Sequence, residues 1–413
     1  MKRLSWISLF LWTNVAVAGA LPGLPPDEVV RETLRAHPDA QAASSEIRYE
    51  TANRERLEAG SYEWNLRLGG QQRKSSPSIG EREQFNEWNV ALERPLRLPG
   101  KATTDAEIGT AGVLRAETAL AQVIHESKRD LLQSWFAWLK ENAAANQWAA
   151  QVDLLERQQR AVKRRQELGD ASRLESIQTE GALALAKAES LQAVSRQQSA
   201  REVLQRRYPG LPVTQPVSLG EPPAEIGDEA EWQAAVAEHS YELAMARQQT
   251  GLAMLAARRQ RQDRLPDPSV GIAFSRERGG EEQVVGAYIS IPLAGGGRRA
   301  AETGAAALAD SARYREDAIA RRVALEAATA VQSARAAYAT WLASRTAAER
   351  LQEAATMSGR AYQLGEGSLG DWLTSMRIAN EAQLAARYSQ LDALEKRYRL
   401  MLDARRLWQS ATE

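Results

Sequence analysis

The chain has 413 residues, room for two or three ordinary domains, and its 53 Lys and Arg balance 53 Asp and Glu to zero net charge. A nucleic-acid binder would show a basic excess or stripe, so that class of partner is excluded. Cysteine is absent, which excludes disulfides, a thiolate nucleophile, iron–sulfur clusters and a thioether lipid anchor at the N-terminus. Three dispersed His (His37, His125, His239) offer no metal site or triad, and no catalytic, cofactor or metal residue is expected. Hydrophobic residues make up 44% with only 4 Phe, which points to close-packed, Ala-rich helices rather than an aromatic core.

Lys2 and Arg3 precede an apolar run from Leu4 to Val17, and Ala16-Val17-Ala18 and Ala18-Gly19-Ala20 both suit signal peptidase. The run is shorter than the ~20 residues of a membrane-spanning helix. Residues 1–20 therefore read as a secretory signal, and the mature chain starts near Leu21. No later stretch is apolar enough for a transmembrane helix, so any entry into a membrane is by strands.

A charged, Ala-rich helical segment runs from Asp27 to Ala59. Two β-like runs follow, Tyr62 to Leu68 and Trp88 to Glu93, and their alternation predicts a hairpin over about 61–95. A polar turn from Lys74 to Arg82 separates them. Pro95, Gly100 and Lys101 mark a strand-to-helix hinge, a long helix follows over 101–168, and a return helix over 173–208. Five prolines, Pro209, Pro212, Pro216, Pro222 and Pro223, make 209–227 a linker or an irregular surface element.

The same order then returns. A helical segment from Asp228 to Gln262 leads to a hairpin over about 269–292 with a turn from Arg276 to Gln283. Pro292, Gly297 and Arg298 mark the second hinge, before a long helix over 298–364 and a return helix over 369–410. Leu168-Gly169-Asp170-Ala171-Ser172 matches Leu364-Gly365-Glu366-Gly367-Ser368 at an offset of 196, and Arg94-Pro95-Leu96 matches Ile291-Pro292-Leu293 at 197. Asp27-Glu28 and His37 correspond more loosely to Asp228-Glu229 and His239. The mature chain is a tandem repeat, 21–208 and 228–413.

Neither long helix contains a Pro, and at ~1.5 Å per residue each reaches ~100 Å. In the second, Ile319, Val323, Ala327, Ala330, Ala334, Tyr338 and Trp341 step by three and four, the seam of a coiled coil. The fold class is mainly α with a small β part. Four strands cannot stay open in a membrane, where unpaired backbone groups cost several kcal/mol each. Three copies would supply about 12 strands and a generous pore, two only about 8. Tyr62, Trp64, Phe85, Trp88, Phe274 and Tyr288 are the expected interfacial aromatics.

Gly169 and Gly365 stand where a helix ends in left-handed geometry. Ser172 and Ser368 can cap the return helices, with Glu175 and Asp371 three residues on.

A signal peptide followed by two copies of helix, hairpin, long helix, Gly/Ser turn and helix resembles the TolC family of outer-membrane efflux proteins. The residues that carry this are Ile291-Pro292-Leu293-Ala294-Gly295-Gly296-Gly297-Arg298-Arg299 and Tyr362-Gln363-Leu364-Gly365-Glu366-Gly367-Ser368-Leu369-Gly370-Asp371. Arg94 to Lys101 is similar to the same place in the heavy-metal cation (CzcC-like) branch. The resemblance implies a homotrimer with a twelve-strand outer-membrane β-barrel and a twelve-helix coiled-coil barrel in the periplasm. It implies a periplasmic adaptor and an inner-membrane transporter as partners, and no chemistry in the duct. The two Gly/Ser turns, Gly169, Asp170, Ser172, Glu175 and Gly365, Glu366, Ser368, Asp371, then form the periplasmic tip and its constriction. Asp371 matches an acid of that ring, whereas Thr374 stands where the family places a second. The cargo implied is small toxic solutes, heavy-metal cations by the branch. A soluble periplasmic adaptor or spacer is the alternative, although adaptors show one helical hairpin flanked by β-rich domains. Met357 and Met376 are not spaced as a metal relay, and Gly295-Gly296-Gly297 lacks the Lys-Ser/Thr pairing of a phosphate loop.

Overall fold

A computed structural model describes residues 21–75, 82–213, 217, 219–224, 227–293 and 295–408. The expected secretory signal lies outside the described residues, as do most of the Lys74–Arg82 turn and the last residues of the expected 369–410 helix.

Each opening helical segment is two helices rather than one. In the first, α1 (Asp27–Arg35) is followed by α2 (Pro38–Ala59). Pro38 cannot donate inside a helix, so the chain restarts there, with Pro38 in the first turn and His37 as its cap. In the second, α5 (Glu229–Glu238) gives way to α6 (Tyr241–Gln262), which Ser240 caps through a 3.3 Å bond from the Leu243 N–H.

The strands are β1 (Asn65–Ser75), β2 (Glu83–Pro95), β3 (Ser269–Glu277) and β4 (Glu282–Ser290), in one antiparallel sheet of order β1-β2-β3-β4. The first hairpin extends further toward its turn than apolar alternation indicates. Polar cross-strand pairs, Gln71 to Glu87 at 2.7 Å and Gln72 to Asn86 at 3.3 Å, carry the ladder onward. The two hairpins join directly, with β2 paired to β3 from Trp88↔Arg276 to Pro95↔Ser269.

Two long helices descend from the sheet, α3 (Lys101–Glu167) and α7 (Gly296–Gln363), and two 35-residue helices return, α4 (Arg173–Arg207) and α8 (Leu369–Asp403). In the far half α3 packs on α4 and α8, and α8 on α7, so α4 and α7 flank the layer. Nearer the sheet the packed order is α2, α3, α6, α7. All seven residues of the predicted α7 seam are buried or half-buried, with Ala327 and Val331 facing Trp232 and Leu400.

The largest core lies midway along α3, where Leu131, Leu132, Trp135 and Phe136 meet Leu391, Leu394 and Tyr398 of α8. The Pro-rich segment is part of this core, since Leu211 and Val213 are buried in it. Residues just after the expected cleavage point dock there as well. Trp135 Nε1 donates to the Gly23 carbonyl and the Tyr398 hydroxyl to that of Pro22, both at 2.7 Å. Helix α8 stops seven residues short of the expected Ser410. Arg405 turns left-handed (φ 53°), which brings Leu407 and Trp408 back into the core. Burial of those two side chains, worth roughly 1.5–3 kcal/mol each, outweighs continuation of an exposed helix.

Candidate functional site

Strand alternation and register give the sheet two unlike faces. One carries Leu66, Leu68, Val90, Leu92, Ile272, Phe274, Val285 and Ile289. The other is polar and internally bonded. Glu93 accepts from Arg67 at 3.2 Å and from the Tyr288 hydroxyl at 2.9 Å. Buried Glu87 accepts from Gln71, lies 3.0 Å from Arg73, and takes the Arg278 N–H at 3.2 Å; Arg73 also reaches Glu277 at 2.8 Å. An apolar face backed by a satisfied polar face is what a small sheet needs to face lipid outward and water inward. Of the six expected interfacial aromatics, Trp64, Trp88 and Phe274 lie on the apolar face. Tyr288 and Phe85 alternate onto the polar face, and Tyr62 turns below the sheet to Asp267. Alternation decides this, because an odd shift along a strand changes faces.

Below the sheet the two halves of the chain are joined by a buried charge network. Pro95 ends β2, and Gly100 (φ 87°) caps α3 in left-handed geometry. Lys101 is buried, with its Nζ 3.0 Å from Asp263, 2.9 Å from Asp267 and donating to the Leu265 carbonyl at 2.7 Å. Arg97 and Arg259 both reach Asp105, and Arg259 also pairs with Asp263. Three cations thus balance three carboxylates. Burial alone would raise the Asp267 carboxyl, but bonds from Lys101, the Leu98 N–H and Tyr62 hold it below its usual range. The Tyr62 phenol is pushed up to about 12 by burial and by its bond to Asp267. The second hinge is placed differently from expectation. Residue Gly295 is extended and α7 begins at Gly296, so Gly297 and Arg298 belong to its first turn, beyond Pro292. Arg298 donates to the Asp263 carbonyl at 2.7 Å.

At the far end the two Gly/Ser turns sit side by side. Gly169 (φ 86°) and Gly365 (φ 79°) each end a helix in a Schellman turn. The Gly169 N–H reaches Gln166 O and the Asp170 N–H reaches Arg165 O; Gly365 and Glu366 bond Tyr362 O and Ala361 O likewise. Ser172 caps α4 through the Glu175 N–H at 3.2 Å, and Ser368 caps α8 through the Asp371 N–H at 3.1 Å. The Ser368 hydroxyl also donates to the Asp371 carboxylate at 2.7 Å. The side chains of Asp170, Glu366 and Asp371 are exposed.

Three residues beyond the expected set tie these turns together. Arg165 donates to the Tyr362 hydroxyl at 2.8 Å and to the Asp170 carbonyl at 3.0 Å. Tyr362 in turn donates to Glu175 at 3.4 Å, and its ring meets Trp372 at 5.5 Å. Burial and the Glu175 carboxylate raise the Tyr362 phenol, so it stays neutral and keeps its proton for that bond. Arg165 and Tyr362 occupy the last turns of α3 and α7; an Arg and a Tyr at the ends of the two long helices, just before the Gly/Ser turns, was the available signal.

His125 packs as an ordinary interior residue, 3.3 Å from Asp403 and 5.3 Å from the Tyr241 ring. Among the described residues no group of three or more His, Asp or Glu could hold a metal ion, and no helix is long and apolar enough to cross a membrane.

No protein-family profile and no curated protein sequence matches the chain. Solved structures do. CusC, described as forming a transmembrane channel, is 16% identical with a TM-score of 0.75 and covers 91% of each chain. The outer-membrane channel OprN is 17% identical with a TM-score of 0.77, over 93% of this chain and 90% of that one. The outer-membrane protein VceC of Vibrio cholerae is 15% identical with a TM-score of 0.72, over 94% and 96%. The chain has the fold of outer-membrane channels. It is the TolC-type fold to which its sequence motifs point.

Proposed function

We propose that the protein is the outer-membrane channel of a tripartite efflux system, a passive exit duct that performs no chemistry. It is exported after removal of residues 1–20, is built from tandem repeats 21–208 and 228–413, and works as a homotrimer. The observation that carries this is the sheet, apolar on one face, polar on the other, and, among the described residues, unpaired along the outer edges of β1 and β4. An open edge in lipid is untenable, so β4 of one copy pairs with β1 of the next, as β2 pairs with β3 within the chain.

The helices support the same closure. Within the chain α3 packs on α6, but no α2 packs along α7. Farther down, α4 exposes Ile177, Gly181, Ala184, Ala188 and Leu191 at three- and four-residue steps. The other flank, α7, exposes Ala336, Thr340, Ala343, Ala347, Leu351 and Ala354 in the same rhythm. Two unpartnered seams of small and apolar residues on opposite flanks make a head-to-tail contact, which closes into a ring.

The acidic turns at Asp170, Glu175, Glu366 and Asp371 then form the constricted periplasmic tip, where an adaptor from an inner-membrane pump docks. The cargo is small toxic solutes, with heavy-metal cations favoured by the Arg94–Lys101 motif and by an acidic tip. The test is extraction and conductance. Purified protein should require detergent, migrate as a heat-modifiable trimer and open ion-conducting pores in planar bilayers. Release by osmotic shock as a detergent-free monomer would favour the soluble spacer instead.

A further inference from the structure

Read down the strands, the apolar face is a set of rows two residues apart. Trp88 and Arg276 share the first row in which the two hairpins pair, below the polar Gln72/Asn86 and Lys74/Gln84 rows; Val90 and Phe274, then Leu92 and Ile272, follow. The next row holds Trp64, Arg94, Val270 and Ile289. Below it comes Leu96, whose N–H bonds the Pro268 carbonyl, and, past the end of β4, Ile291 and Leu293. Ile291 is 60% and Leu293 93% exposed. No carboxylate lies on this face from the Trp88 row to the Leu96 row. Among the described residues the only cations within those rows are Arg276, in the Trp88 row, and Arg94, about 20 Å away along the strands at ~3.4 Å per residue; Lys74 lies farther toward the tip.

Arg94 is the anomaly. It has apolar side chains on both sides, Leu92 and Ile272 above and Leu96 below, with the exposed Ile291 and Leu293 just past the end of β4, so it stands inside an apolar stretch rather than at its end. The guanidinium lies over the Trp64 ring at 5.5 Å, and its Nε donates to the Tyr62 carbonyl at 3.0 Å. Its two terminal amino groups have no partner among the described residues. A guanidinium held in such a layer calls for an anion of matching geometry, and a phosphate oxygen pair offers a bidentate one. The exposed Trp64 indole beside it is a ring of the kind that settles at headgroup depth.

We propose that Arg94 and Trp64 form a phospholipid site on the outside of the barrel, gripping the phosphodiester of a lipid in the leaflet nearest the helices. The acyl chains of that lipid run up the Leu92, Ile272 and Val90 rows. The proposal rests on the membrane reading of the sheet and adds a specific ligand to it. In the trimer it supplies three equivalent anchors that set the depth of the barrel at its periplasmic rim.

The test uses full-length processed protein in detergent, exposed to phosphatidylglycerol micelles, with retained lipid per chain counted by native mass spectrometry. Arg94→Gln should retain roughly fivefold less lipid, the effect of one basic residue at an anionic surface. Arg94→Lys should recover part of the loss, and Arg206→Gln, on a distant helix surface, should match wild type. If Arg94→Gln fails to form trimers, Trp64→Leu against Arg94→Lys carries the comparison. Wild-type retention by folded Arg94→Gln overturns the proposal. So does binding of inorganic phosphate alone that Arg94→Gln abolishes, since the site would then serve a free anion. Failure of the membrane reading is distinguishable, because wild type would then need no detergent and retain no lipid.

Discussion

At the scale of single residues, the tip and the junction make opposite demands on their charges. Asp371 is exposed and takes only a Ser368 hydroxyl bond, which an amide oxygen can also accept. Asp371→Asn should therefore leave trimer formation intact while lowering cation preference in single-channel recordings, and Glu175→Gln should act the same way. Part of their mutual field survives screening, since the Debye length is ~8 Å at physiological salt. Tyr362→Phe keeps the ring on Trp372 but deletes the hydroxyl that links Arg165 to Glu175. A net loss of about 1 kcal/mol is expected, read as a larger open fraction of the resting channel. Lys101 is different, because nothing but protein surrounds it. Lys101→Met leaves Asp267 without its cation and Asp263 with Arg259 alone, and should destabilise the chain by about 1.5–3 kcal/mol in denaturant or thermal melts. Asp403 sets an acid limit. Burial works against its ionised form, but bonds from His125, Arg129 and Arg399 hold the carboxyl down at about 2, below the ordinary 3.8. Its folded value is depressed, so its contribution is complete above pH 3.8 and is lost as pH falls toward 2. That contribution is about 2 kcal/mol, and Asp403→Asn should flatten the stability profile across that window.

At the scale of elements, the chain shows which signals are local. The Gly/Ser turns were readable because a left-handed Gly and a capping Ser act within six residues. The α7 seam was readable from its three-and-four stepping. The break at Pro38 is named by the Pro itself, but the gap between the helices is only two residues, Ala36 and His37, too short to interrupt the helical pattern on either side. The polar halves of β1 and β2 carry no alternation of apolar residues to reveal them. Gly365→Asn should be tolerated, since Asn adopts left-handed geometry and no atom lies within 4 Å of the added Cβ. Gly365→Val should instead cost about 1–2 kcal/mol and lower the yield of folded trimer in membranes.

At the scale of the whole molecule, the expected assembly can be checked in a background that has no cysteine of its own. Ala188 on α4 and Ala347 on α7 lie 16 and 17 residues from their respective turns, so they stand at the same height on opposite flanks. With Cys at both positions, oxidation should link neighbouring copies, and the ladder on denaturing gels should end at three chains. A ladder ending at two would overturn the trimer.

What the sequence determined by itself was whatever acts over a few residues. That includes the alternation that makes strands, the long Pro-free runs that make α3 and α7, the Gly/Ser turns, and the order of elements in two halves. Only the tertiary structure decided which hairpin edges meet, that Tyr62 and Lys101 share Asp267, and that Arg165, Tyr362 and Glu175 bridge the turns. Those partners lie 166 to 205 residues apart. No local period encodes such pairs; they follow from strand register and helix packing, which are settled by the burial of the whole layer at once.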